Sequence, residues 1–130
     1  MQIAAEKNDG LLLLTFGGQL DAASADESEQ ALLALIDEQG LRVVVDLGPL
    51  TYLSSVGLGV ILRLTKQVLR YDGRIVFHSL QPRVRQILDM TGLSLMLQLY
   101  ETAEEALKGV SSLEPAPHER IERDDDSLPG

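Results

Sequence analysis

Three consecutive valines, Val43, Val44 and Val45, lie between turn signals at Gly40 and Gly48-Pro49. A run this short is strand-length, and successive strand residues point to opposite sides of a sheet. Three β-branched neighbours therefore need apolar cover on both faces. That is the environment of a central parallel strand layered with helices.

The rest of the chain alternates accordingly. Residues 2–7 read as a weak strand, and 10–17 as a strong one that Gly17-Gly18 breaks. Ser24 and Glu27 have capping-box spacing and open a helix carrying Ala31, Leu32, Leu35 and Ile36, closed by Gly40. After the valine strand, a helix over 55–71 places Val60, Ile61, Leu64 and Val68 on one side. Arg63, Lys66, Gln67 and Arg70 lie on the other, and Asp72-Gly73 ends it. Residues 74–79 form a strand. Pro82 starts a helix carrying Val84, Ile87 and Leu88, and Gly92 stops it. Residues 95–100 read as a last strand, and Thr102 with Glu105 caps a final helix. This predicts an α/β fold, a mixed sheet of about five strands with about four helices. The valine strand, its helix and the 74–79 strand should form a parallel crossover.

Of the 130 residues, 45% are hydrophobic and 4% aromatic, with no Trp, so the core must be built from Leu, Val, Ile and Ala. Residues 111–130 hold three of the five prolines and six acids (Glu114, Glu119, Glu122, Asp124, Asp125, Asp126) against Arg120 and Arg123. Such a segment buries too little to offset its ordering entropy. The expected organisation is one domain over 1–110 and a flexible acidic tail over 111–130.

The net charge of −9 disfavours nucleic acid and anionic lipid, and so few aromatics give bases little to stack on. With no cysteine there is neither a disulfide framework nor a thiolate metal site. No apolar run approaches the ~18 residues of a membrane span. The first ten residues include Glu6, Lys7 and Asp9 and lack a long apolar stretch, unlike a secretory signal. The expectation is a cytoplasmic protein without direct membrane insertion.

Functional sites in such sheets gather at the carboxyl ends of strands. Here that is the stretch after Asp46, which reads Thr51, Tyr52, Leu53, Ser54, Ser55, Val56, Gly57, Leu58, Gly59. Two serines fall at a helix start. Serine is a favoured N-cap, and helix capping is the plain account of this pair. The functional account is that an exposed hydroxyl at a helix N-terminus is well placed to carry a phosphate, because unpaired N–H groups and the helix dipole favour negative charge. Enzyme readings are poor. The histidines are His78, in or beside a strand, and His118, in the tail; there is no G-x-S-x-G elbow. Gly57-Leu58-Gly59 lacks the third glycine of a dinucleotide loop, since Leu62 stands there. The Asp124-Asp125-Asp126 run lacks calcium-loop spacing. No cofactor is expected. Arg63, Lys66, Arg70, Arg74, Arg83 and Arg85 concentrate positive charge, with Asp72 the sole acid between Arg63 and Arg85.

The stretch VVVDLGPLTYLSSVGLGVIL, residues 43–62, resembles the signature of STAS domains, found in anti-sigma factor antagonists and in the cytoplasmic parts of sulfate transporters. GQLD at 18–21, DGRIVF at 72–77, ILDMTGL at 87–93 and YETAEEAL at 100–107 agree in order and spacing. The resemblance covers about residues 2–110 and implies a binding module rather than an enzyme. Its partners would be an anti-sigma factor that is also a serine kinase, and a serine phosphatase. The unphosphorylated protein would bind the anti-sigma factor and so free a sigma factor for transcription, and phosphorylation would release it. Aligned on Gly57-Leu58-Gly59, the acceptor falls on Ser55, with Ser54 a secondary candidate. Residues 51–59 and Arg63 would form the partner surface. Ser54 stands where the signature has Asp, and Val56 where it has a second Ser or Thr. That departure motivates an alternative, a non-phosphorylated interaction scaffold or transporter-associated subunit.

Overall fold

The computed structural model describes residues 1–112. The strands are β1 (Gln2–Asn8), β2 (Leu11–Leu20), β3 (Arg42–Asp46), β4 (Leu50–Leu53), β5 (Arg74–His78) and β6 (Leu99–Tyr100). The helices are α1 (Ala25–Ala34), α2 (Ser55–Arg70), α3 (Pro82–Met90) and α4 (Ala103–Ser112). The sheet order is β1-β2-β3-β5-β6, with β4 added to the far end of β2. β1 is antiparallel to β2 and every other pairing is parallel, so the sheet is mixed, as expected.

Strand alternation sorts the core. Leu12, Leu14, Phe16, Val43, Val45, Ile75 and Phe77 face Leu32 of α1, Val60, Ile61 and Leu64 of α2, and Val84 and Leu88 of α3. Val44 and Val76 face Ala106 and Val110 of α4 on the other side, beside Leu11, Leu13 and Tyr100. The valine run is thus covered on both faces, and β3 pairs in parallel with β2 and β5.

Several boundaries differ from expectation. Asp9 (φ 50°) and Gly10 (φ 80°) form a two-residue hairpin turn between β1 and β2, with Asn8 opposite Leu11. Gly17-Gly18 does not break β2. Gly18, at φ 81°, sits where the register shifts, and the strand leaves its pairing with β1 to pair with β4. α1 ends at Ala34, well before Gly40, and Ile36 is buried from outside the helix. Lys7 holds the next two residues, at 2.9 Å from Asp37 and 2.8 Å from Glu38.

The Ser24–Glu27 capping box does not form. Ser24 is in the αR region, and its hydroxyl donates to the Gln19 carbonyl (3.1 Å) and accepts from the Asp21 amide (3.2 Å). The Thr102–Glu105 cap does form, with the Glu105 amide donating to Thr102 Oγ1 at 3.2 Å. The last strand is reduced to Leu99–Tyr100. A 3-10 turn over Leu93–Leu95 precedes it and leaves Leu95 91% exposed. α4 continues to Ser112, two residues past the expected domain edge; residues 113–130 of the acidic tail lie outside the described residues. His78 is buried at the end of β5 with Nδ1 2.8 Å from Ser79 Oγ.

Candidate functional site: the β4–α2 junction

The segment after Gly48-Pro49, where the residue pattern predicts no strand, is the short strand β4. The turn before it is tied down: Asp46 Oδ1 accepts from the Gly48 amide (2.8 Å), and Gln81 Nε2 donates to the Gly48 carbonyl (2.7 Å). The Gly18 amide donates to the Pro49 carbonyl (3.0 Å), and Thr51 Oγ1 to the Gly18 carbonyl (3.0 Å). The Ser54 amide then donates to the Leu20 carbonyl at 3.0 Å, so β4 is paired up to the residue before α2. Leu50 and Leu53 point into the core, while Thr51 and Tyr52 point outward.

Ser54 is the N-cap. Its backbone is extended, and its side chain accepts from the Gly57 amide at 3.1 Å. Its carbonyl accepts the first helical bond, from the Leu58 amide, at 2.9 Å. Ser55 is the first helical residue and is exposed. As at any helix start, the amides of Ser55 and Val56 have no acceptor within the helix. Ser54 therefore fills the capping role a carboxylate also fills, and Ser and Asp are nearly equivalent caps. Its hydroxyl is half-buried and committed; that of Ser55 is outward. Ser54→Ala is expected to cost about 1 kcal/mol of stability, read by urea denaturation, from loss of this cap. An unchanged midpoint would mean that Gly57 finds another acceptor.

Tyr52 (42% exposed) and Val56 (46%) flank Ser55 as apolar surface. The expected partner-surface residues divide. Leu53 and Gly57 are buried, so their contribution is packing, not contact. Gly57 has no room for a side chain. A Cβ would press on the Leu20 carbonyl oxygen and lie 2.9 Å from Leu20 Cγ and from Leu53 Cδ1. Leu58 and Gly59 are half-buried, and Arg63 is exposed. Arg63 is not a free cation: its Nε donates to Glu29 Oε1 of α1 at 2.8 Å, and a second guanidinium nitrogen lies 2.7 Å from the same oxygen. Nothing in the residue pattern signals this pair, since α1 and α2 meet only through tertiary packing. Among the described residues no helix is long and apolar enough to cross a membrane.

BtrV of Bordetella bronchiseptica, which carries the name anti-sigma factor antagonist, is 35% identical over 106 residues, spanning 82% of this chain and 91% of that protein. The anti-sigma F factor antagonist of Paenibacillus polymyxa is 31% identical over 108 residues, 82% of this chain and 92% of its own. Among solved structures, an anti-sigma factor antagonist from Mycobacterium paratuberculosis superposes with a TM-score of 0.74 at 28% identity, covering 85% of this chain and 94% of that one. The STAS domain family model matches residues 2–106. With the mixed sheet, the α2 start and this match in agreement, the chain belongs to the STAS domain family.

Proposed function

We propose that this protein is an anti-sigma factor antagonist whose partner binding is switched by phosphorylation of Ser55. The single observation that carries the reading is the division of labour between the two serines: Ser54 caps α2 and Ser55 is left exposed at its first residue. The relatives' shared name supports the partner class, an anti-sigma factor; that this factor is also the serine kinase is part of the proposal. The protein binds and is modified; the chemistry belongs to its partners.

In the phosphorylation step Ser55 Oγ gives up its proton and takes the γ-phosphoryl group of ATP, and ADP leaves. A phosphatase restores the hydroxyl with water, releasing inorganic phosphate. The unphosphorylated surface around Tyr52, Ser55 and Val56 binds the anti-sigma factor, and so frees the sigma factor that it held. The phosphorylated surface does not bind.

The test mixes the protein with its cognate kinase-type anti-sigma factor and ATP, then maps phosphate by mass spectrometry. Incorporation is expected at Ser55, lost in Ser55→Ala and kept in Ser54→Ala. No incorporation at Ser55, with affinity unchanged by Ser55→Asp, overturns the switch and leaves the scaffold reading.

A further inference from the structure

The Arg63 guanidinium does not extend away from α2 into solvent. It folds back along the helix over Gly59: a Cβ built there would lie 3.0 Å and 3.3 Å from its two terminal nitrogens and 3.5 Å from its central carbon. From that position it grips Glu29 of α1. The Glu29 hydrogen bond, followed by the charges of Glu29 and Asp26, pushes the guanidinium up from its ordinary value.

Ser55, Gly59 and Arg63 are spaced at i, i+4 and i+8. Neighbouring positions at this spacing have Cβ atoms about 6 Å apart. The guanidinium therefore sits one helical turn below the Ser55 side chain, with only a glycine between them. The Cβ–Oγ–P–O chain of a phosphoserine is long enough to cross a gap of that size when its phosphate turns toward Gly59. Any side chain at position 59 would fill the space.

We propose that Arg63 is the internal counter-ion of phosphorylated Ser55, and that phosphorylation draws it from Glu29 to the phosphate. The inference rests on Ser55 being the modified residue. A phosphoserine carries about −1.5 to −2 charges at neutral pH and offers three acceptor oxygens, whereas Glu29 offers one charge and two oxygens. Arg63 is half-exposed, so the exchange costs little desolvation: 53% of its side chain faces solvent, against 23% for Glu29. The result is a second effect of the same modification. The ion pair joining α1 to α2 opens, and Glu29 is left as an uncompensated carboxylate beside the partner surface.

The experiment places phosphoserine at position 55 by genetic encoding, so that no kinase is involved, and follows its second ionisation by phosphorus NMR. In the otherwise wild-type protein the titration midpoint is expected to fall below that of Arg63→Gln by roughly a few tenths of a pH unit, the scale of an exposed ion pair. Glu29→Gln, which removes the competing carboxylate, is expected to lower it further. Gly59→Ala, which intrudes on the guanidinium's resting place, is expected to bring it back toward the Arg63→Gln value. Equal midpoints in wild type and Arg63→Gln overturn the assignment. A kinase that ignores Ser55 overturns the switch instead, and the two failures are distinguishable because this measurement uses no kinase.

Discussion

Gly57→Ala is expected to destabilise the fold by about 3 kcal/mol, the upper end of what overpacking costs. Three contacts converge on the place its methyl group would occupy: the Leu20 carbonyl oxygen, Leu20 Cγ and Leu53 Cδ1. Only Leu53 Cδ1 is the end of a side chain, and that side chain is buried in the core. The carbonyl oxygen is backbone and already accepts from the Ser54 amide, so yielding breaks the bond that anchors α2 to the sheet. Leu20 and Leu53 are fully buried, and close-packed interiors resist such displacement. Gly59 is the control. An added methyl there meets only the Arg63 guanidinium, which can swing away. Gly59→Ala should stay within about 1 kcal/mol of wild type, with the helix propensity of alanine offsetting the displaced side chain. Urea denaturation followed by circular dichroism separates the two. Equal stabilities would mean that the two motif glycines are held for the same reason.

Phosphorylation of Ser55 is expected to weaken anti-sigma factor binding by about 100-fold, an effect of roughly 3 kcal/mol. Ser55, the proposed acceptor, lies between Tyr52 and Val56, both exposed and apolar enough to be covered in a complex. Covering them requires the new charge to leave water or to be matched. An unmatched dianion in a desolvated contact costs several kcal/mol. Ser55→Asp adds one charge in place of nearly two, on a shorter side chain, so a loss of about tenfold is expected. Ser55→Asn, neutral and of similar size to Asp, should bind nearly as wild type. Titration calorimetry with the purified partner decides. A phosphoprotein that binds within about threefold of the unmodified form removes charge as the determinant.

Much of this was legible in the residues. Val43-Val44-Val45 required cover on both faces, and it comes from α1, α2 and α3 on one side and α4 on the other. Pro82 and Gly92 bound α3 because a missing amide and a left-handed φ suit those two positions alone. The features that escaped depend on distant partners. Leu50–Leu53 becomes a strand because β2, bent at Gly18, offers it a free edge. Four residues after a Gly-Pro turn carry no period that would reveal this. The helical spacing of Leu35 and Ile36 overstates α1, because Ile36 is buried just as well from the turn beyond it. In the candidate site, the identity of the two serines was readable but their roles were not. Which one caps depends on φ and ψ at position 54, and those follow from the pairing of Ser54 with Leu20.

The pairing of β4 also bears on how fast a complex forms. Residues 51–54 are already immobilised by hydrogen bonds to Gly18 and Leu20. Fixing a backbone residue costs about 1–2 kcal/mol of entropy, and folding has met that cost in advance. A partner therefore meets a preorganised relief, not a segment it must first order. Association should follow rigid-body encounter kinetics, and the lifetime of the complex should be set by how quickly the partner lets go.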